Sequence, residues 1–484
     1  MIVRRTALAC VALSLSLTLA GCESTPAYKK SVLEMPLSWK LEAPWRESQP
    51  DDALAKGPWW QRFGDAGLDA LEEKAMANNP TLELANARLA QSRATLAATS
   101  AGLWPQIGLG VRPARQQISA NRPLTNYRSP NFSTVQNDIV LAMTVSYEVD
   151  LAGRVQSTIE GARAAAEQSA ADLENVKLLL SADLATNYFN LREIDTEIDV
   201  LGRSIDLQQS SLDLVRARYD LGAANGLDLA QQQALLDSTR VQLELLRRPR
   251  GQYEHALAAL IGVSAAQFSL PPDKRETILP TVPLGVPSDI LERRPDVASA
   301  ERAMAAANAQ IGVANAAFYP SITLGSAVGY ESRELRALFD APSLIWSFGV
   351  SLLQTLFDGG RIRANADFAG AGYNSTVANY LRVVLGAMQE VEDGITGLAA
   401  LEVAALQSRA AVVGASRVLD MTMARYEGGA SPYFEVIASQ QFLLNNERQA
   451  AQVQGQRLVT SVFLVKALGG GWDGSLSPVA AKPD

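Results

Sequence analysis

The 484-residue chain carries 43 Lys+Arg against 51 Asp+Glu, one histidine and two cysteines, with 48% hydrophobic and 19% charged residues. That length holds several cores, and the composition is neither collagen-like nor disordered. A lone His255 cannot build a multi-histidine metal cluster and leaves any imidazole-based triad a single starting point, so most hydrolase and zinc-enzyme chemistry is excluded.

At the start, Arg4 and Arg5 precede an apolar stretch from about Ala7 to Ala20, which predicts a secretion signal over residues 1–21. It ends in Leu19-Ala20-Gly21-Cys22, which looks like a bacterial lipobox: cleavage would leave Cys22 as the new N-terminus, carrying a covalent lipid. Glu23 beside it leaves lipid sorting ambiguous. Cys10 is discarded with the signal, so no intramolecular disulfide is expected despite an oxidising compartment. Without Arg4 and Arg5 the balance is 41 basic against 51 acidic residues, a net −10 that argues against nucleic acid as a partner. No later run of roughly eighteen uncharged apolar residues occurs, so no transmembrane helix is predicted.

Prolines then divide the chain. Pro26, Pro36, Pro44, Pro50 and Pro58 mark an extended leader over 22–58, and Pro271, Pro272, Pro280, Pro283 and Pro287 a linker over 263–290. The segments they separate, 59–262 and 291–470, are copies of one another, and 471–484 is a flexible tail. Pro80, Pro105 and Gly110 match Pro295, Pro320 and Gly325 at an offset of 215 (295 − 80), after which Gly153-Arg154, Arg218-Tyr219 and Gly222 match Gly360-Arg361, Arg425-Tyr426 and Gly429 at 207 (425 − 218). The first copy has gained eight residues between Gly110 and Gly153, as expected of a surface loop.

Each copy opens with an Ala-rich helical pattern, from Pro80 to Leu103 and from Pro295 to Phe318. Alternation follows: Ile139, Leu141, Met143, Val145, Tyr147, Val149 and Leu151 are apolar while Thr144, Ser146, Glu148 and Asp150 are polar. Four strands are predicted, at about 105–118, 138–151, 320–331 and 344–357. One apolar and one small or polar face suits a membrane barrel, and a half-buried soluble sheet is the alternative. A barrel needs about eight strands or more, so on that reading several chains must share one. Long helices are predicted next, at about 153–221 and 360–427; the first has 69 residues, or about 100 Å at 1.5 Å per residue. Both end at glycine-rich turns, Gly222 to Gly226 and Gly428-Gly429, from which return helices run back toward Gly262 and Gly469. Ser431 before Pro432 predicts an N-cap and first helical position, and Pro249 predicts a kink or break in the first return helix. His255 reads as a packing or surface residue.

From Trp59-Trp60 to Gly471-Trp472, together with the lipobox, the chain resembles the TolC-like outer-membrane factors, in their lipoprotein branch. The specific stretches are 287 to 296, Pro-Ser-Asp-Ile-Leu-Glu-Arg-Arg-Pro-Asp, with Phe318-Tyr319-Pro320-Ser321 and Phe357-Asp358-Gly359-Gly360-Arg361; Thr355 departs from an expected proline. The resemblance implies a mostly α chain with four strands, forming a homotrimer whose twelve-stranded outer-membrane β-barrel continues into a long periplasmic α-helical barrel. The implied function is a passive exit duct, not an enzyme and without cofactor beyond the Cys22 lipid, for small molecules such as drugs. Implied partners are a periplasmic adaptor, an inner-membrane pump of the resistance-nodulation-division type and outer-membrane lipid. No GxxxxGK[ST] phosphate loop occurs, so the pump would supply the energy.

The helix-turn-helix tips would meet the adaptor, which places Arg218, Tyr219, Gly222, Gly226, Arg425, Tyr426, Gly428 and Gly429 at or beside the contact. These residues would equally serve as helix ends and packing. The family's acidic aperture position falls on Glu435, with Asp228 its counterpart in the first copy, while a second acidic position falls on Ala438. Three carboxylates near an axis favour cations; a carboxylate in a helix's first turn also stabilises the macrodipole. The duct of a type I protein-secretion system and a lipid-anchored periplasmic coiled-coil scaffold without a pore are the alternatives.

Overall fold

The computed structural model describes residues 58–119, 134–273, 279–280 and 294–470, with Pro26 and Tyr28. Cys22, the signal and the 471–484 tail lie outside the described residues. The first copy holds α1 (Ala66–Asn78), α2 (Pro80–Ser100), β1 (Gln106–Ile118), β2 (Thr134–Val149), α3 (Arg154–Asp220) and α4 (Gly226–Leu260). The second holds α5 (Pro295–Ala316), β3 (Ser321–Ser332), β4 (Leu344–Leu353), α6 (Arg361–Glu427) and α7 (Tyr433–Ala467). Two compact units divide these elements, one of Met1–Ser31, Ala90–Gln168 and Ala300–Asn379, the other of Val32–Leu89, Ser169–Ser299 and Tyr380–Asp484.

The first unit contains one antiparallel sheet in the order β1-β2-β3-β4. Its register brings the alternating residues of all four strands onto common faces: Leu109 pairs with Met143, Met143 with Val328 and Val328 with Trp346. One position along, Gly108, Thr144, Ala327 and Ser347 form the opposite row. The apolar face is uncovered, for Ile107, Leu109, Val111, Trp346, Phe348, Val350 and Leu352 are all more than 60% exposed in the single chain. Gly329 sits where a Cβ would meet the Leu141 carbonyl and lie 2.6 Å from Ala142 Cα, so a larger residue would part β2 from β3.

The strand limits differ from the sequence pattern by two residues or more at three places. β2 stops at Val149 rather than 151, because Asp150 leaves the ladder to accept a hydrogen bond from the Gln156 amide at 2.8 Å and so opens α3. It also starts earlier, at Thr134 rather than 138, opposite Ile118 of β1. β4 stops at Leu353 rather than 357, where its partner Ser321 follows Pro320 and the ladder runs out. Asp358 opens α6 as Asp150 opens α3, accepting from Gly360 and Ile362 amides at 2.9 and 2.8 Å. In the same unit a Cβ added at Gly161 of α3 would lie 3.5 Å from that of Ala309 of α5, and the leader touches α5 twice, through Asn308 to the Pro26 carbonyl and Tyr28 to the Glu301 carbonyl.

In the second unit, α3 and α6 continue without interruption; each has 67 residues over its full length. The glycines of α6 do not break it. At Gly394 a Cβ would press on the Leu464 side chain at 3.0 Å, so glycine there serves helix packing. α4 likewise continues through Pro249, so of the predicted kink or break the break does not occur. A proline inside a helix costs about 3 kcal/mol, but the next residue is anchored: Arg250 bonds Asp195 at 2.7 Å, Glu254 at 3.2 Å and the Leu270 carbonyl at 2.7 Å. The second copy repeats that clamp 207 positions on (457 − 250), with Arg457 paired to Glu402. Among the described residues one helix, α6, is long and apolar enough to cross a membrane when up to two charges are allowed in the window, and only 17% of that window is buried within the chain.

An aromatic core closes this unit, with Phe63 and Phe189 rings 4.9 Å apart and the Tyr188 hydroxyl donating to the Asp65 carboxylate at 2.9 Å. Asp65 also caps α1 through the Gly67 amide. On the inner face of α1, Glu72 is fully buried and neither carboxyl oxygen has a hydrogen-bond partner among the described residues. Burial, and then the charge of Asp69, pushes its pKa up to about 9. Between its ordinary value of 4.5 and about 9 the unfolded chain has released this proton while the folded chain keeps it, so stability falls as pH rises through that window and is flat below it. Glu72→Gln removes the titration: its unfolding midpoint in detergent is expected to decline less than the parent's between about pH 5 and pH 9, and parallel pH profiles would refute the assignment.

Candidate functional site: the two helix-turn-helix tips

Both tips are built by the same backbone device. At the end of α3 the Gly222 amide bonds the Tyr219 carbonyl and the Ala223 amide the Arg218 carbonyl, at 2.9 and 2.8 Å; at the end of α6 the Gly429 and Ala430 amides bond Tyr426 and Arg425 carbonyls at 3.0 and 2.8 Å. The crossed pair requires a left-handed residue, and Gly222 (φ 78°) and Gly429 (φ 73°) supply it. The return helices start differently. Asn225 caps α4, its side chain accepting from the Asp228 amide at 2.9 Å. In the second copy the cap position is Pro432 and the helix begins at Tyr433, which corrects the Ser431 N-cap by one residue. The Ser431 hydroxyl is buried without a partner, because extended Pro432 carries the chain past the point from which it could reach the helix amides.

The side chains break the symmetry further. Arg218 reaches from the first copy to the second, donating to the Tyr426 and Glu427 carbonyls at 3.3 and 3.4 Å, with its guanidinium 4.6 Å from the Tyr426 ring centre. A cation against the last carbonyls of α6 satisfies acceptors that the helix leaves open and opposes the negative end of its dipole. Beneath it Val215, Tyr426, Tyr433 and Val436 form a buried cluster, the two tyrosine rings 4.9 Å apart. The Tyr433 hydroxyl donates to Gln232 Oε1 at 2.9 Å, and Gln232 in turn donates to the Gln208 carbonyl at 2.8 Å. Burial, then the Tyr426 ring, holds the Tyr433 hydroxyl well above the usual phenol range.

Of the residues singled out in the sequence, the fold therefore joins Arg218 and Tyr426 and buries the latter. Tyr219, Arg425 and Glu435 stay exposed, with no side-chain hydrogen bond or ion pair among the described residues. Asp228 is half-buried in the first turn of α4, and Glu435 occupies the same turn of α7. Gly226 lies under Tyr219, where a Cβ would be 3.7 Å from the ring. Sequence reasoning missed three apolar side chains at the tips, Leu221, Leu227 and Phe434, which are 84%, 63% and 62% exposed. Their signal is present: each is an apolar residue within a few positions of a glycine-rich turn.

The profile of the outer membrane efflux protein family matches residues 71–263 and 286–470, the two copies. The pyoverdine export outer membrane protein OpmQ of Pseudomonas aeruginosa is 30% identical over 97% of this chain and 98% of its own. The toluene efflux pump outer membrane protein TtgF of Pseudomonas putida is 30% identical over 98% of this chain and 99% of its own. Among solved structures, a membrane protein from Pseudomonas aeruginosa superposes with a TM-score of 0.86 at 29% identity, covering 95% of this chain and 100% of that one. By its paired repeat, its four-stranded sheet with an uncovered apolar face, its glycine-capped tips and these matches along nearly its whole length, the chain belongs to the outer membrane efflux protein family.

Proposed function

We propose that three copies of this chain form the exit duct of an efflux pump in the outer membrane of a Gram-negative bacterium, tied to lipid through Cys22. Twelve strands, four from each chain, close a barrel, and the helices of the three chains enclose a periplasmic tunnel. The observation that carries the reading is the sheet's register: every strand contributes to one exposed apolar face, which suits lipid, and to one small or polar face, which suits a water-filled lumen. The tips meet a periplasmic adaptor through Tyr219, Leu221 and Leu227 with the turn glycines, and the adaptor joins a pump of the resistance-nodulation-division type. Conduction is passive and the cargo is a small molecule, the class for which the relatives that export pyoverdine and toluene are named.

Glu435 is the aperture carboxylate on this reading, because it is exposed and unpaired where Asp228 is half-buried. The test is conductance of the purified protein in a planar bilayer. Glu435→Ala is expected to raise conductance and lower the preference for cations over anions. A folded trimer that passes no ions, even after Glu435→Ala and Arg218→Ala, would sink the duct and leave the scaffold.

A further inference from the structure

Arg218 of α3 grips the end of α6, but its repeat counterpart Arg425 is exposed and grips nothing among the described residues. A second difference of this kind lies farther along the line where the first copy meets the second. Within the chain, Glu197 of α3 receives Arg448 of α7 at 2.8 Å and Gln452 at 3.0 Å, and Arg448 also reaches Gln242 of α4. Gln440 donates to Ser211, and Leu444 packs with Val200 and Leu201. This seam sets α3 and α4 of the first copy against α7 and the end of α6.

The 207-residue offset (448 − 241) converts each partner of that seam into its counterpart. Glu197, Arg448 and Gln452 become Ala404, Val241 and Leu245. An ionic trio turns into an apolar one: Val241 and Leu245 are 59% and 66% exposed on one face of α4, and Ala404 is half-buried beside Val403, which is 54% exposed. Leucine and valine four residues apart on an uncovered helix face need a partner, and so does the apolar window of α6, which the single chain leaves mostly unburied. Copies arranged head to tail generate a ring whose successive seams are alike.

Resting on the trimer reading above, we infer that the subunit seam repeats the seam inside the chain: Arg425 of one subunit caps the carbonyls of the partner subunit's Tyr219 and the partner subunit's Asp220. Its guanidinium lies on the partner's Tyr219 ring as that of Arg218 lies on Tyr426. Farther along, the partner's Val241 and the partner's Leu245 cover Ala404 and Val403. The occupant of both exposed faces is thus a second copy of this chain. An ionic seam within each subunit alternates with an apolar seam between subunits.

Cysteine pairs test this in the full-length protein purified in detergent. Arg425→Cys with Asp220→Cys, and separately Ala404→Cys with Val241→Cys, are treated with a short bifunctional maleimide. Each is expected to give a dimer and trimer ladder on a denaturing gel, while the parent gives none. Arg218→Cys with Glu427→Cys, the pair inside the chain, is expected to link without any ladder. Native mass spectrometry of the untreated protein separates the two claims: three chains with no ladder from either inter-subunit pair overturns this seam and leaves the duct standing, whereas a single chain overturns both.

Discussion

Met143→Arg is expected to cost about 2–4 kcal/mol per chain of membrane-folded stability, the toll of a cation near the bilayer midplane on the lipid face of a barrel, and Thr144→Arg, one residue on, far less. Met143 belongs to the apolar row of Leu109, Val328 and Trp346; Thr144 belongs to the small, polar row of Gly108, Ala327 and Ser347. A soluble sheet packed on its apolar face would also reject Met143→Arg, so depth supplies the discriminating arm. Leu352 pairs with Ile322 near the strand ends, where the penalty on a lipid face falls to about 0–1 kcal/mol. Urea titration of protein folded into vesicles is expected to rank the variants Met143→Arg, Leu352→Arg, Thr144→Arg from most to least damaging. Equal damage at all three positions would remove the lipid-facing assignment.

Much of this fold is written in periods that a single sequence displays. Alternation over Ile139 to Val149 identifies β2 because one face is uniformly apolar, and the glycines at 222 and 429 identify helix ends because few other residues adopt their backbone angles. What periodicity assigns is a face, and it does not name the partner of that face. Hence Arg218 and Arg425 look equivalent in sequence, yet the first is spent on Tyr426 and Glu427 and the second is left exposed. Ser431 and Pro249 mislead for a related reason. Local propensity alone makes the first an N-cap and the second a helix break, and it gives way when a neighbouring contact, the extended backbone of Pro432 or the anchoring of Arg250, is worth more. Glu72 gave no signal at all, since a glutamate in an amphipathic helix normally faces water.

The same distinction explains why the repeat is informative beyond symmetry. Two copies with one backbone plan differ in side chains where their surroundings differ. Clamps inside each copy keep their chemistry, Asp195 with Arg250 and Glu402 with Arg457. Contacts between copies do not: the Glu197, Arg448 and Gln452 cluster has only Ala404, Val241 and Leu245 at the corresponding positions. Buried ionic contacts demand exact partners and are costly when one is missing, which suits a seam formed once as a chain folds. Apolar contacts tolerate small misalignment, which suits surfaces that must find each other by association.

Arg294→Met is expected to be the most destabilising single change in the helical unit, by about 3–5 kcal/mol, the range for removing one partner of a buried ion pair. Arg294 lies within the 287–296 stretch on which the family resemblance rests, and it is 7% exposed. It donates to Asp296 through Nε at 3.0 Å and Nη2 at 2.6 Å, to Glu390 of α6 at 2.7 Å, and to the Ala467 carbonyl at the end of α7 at 3.0 Å. One guanidinium thus fixes the start of α5 to α6 and to the last turn of α7. Without it, two carboxylates face each other across the gap and the Ala467 carbonyl loses its donor. Glu390→Gln is expected to cost less, because Glu390 is 34% exposed and Lys466, 3.7 Å away, lies nearer water than Arg294. Arg294→Lys is expected to fall between them, keeping the charge but losing the bidentate grip on Asp296. Denaturant midpoints of the detergent-solubilised protein would establish the order, and an Arg294→Met variant as stable as the parent would show that this motif does not clamp the three helices.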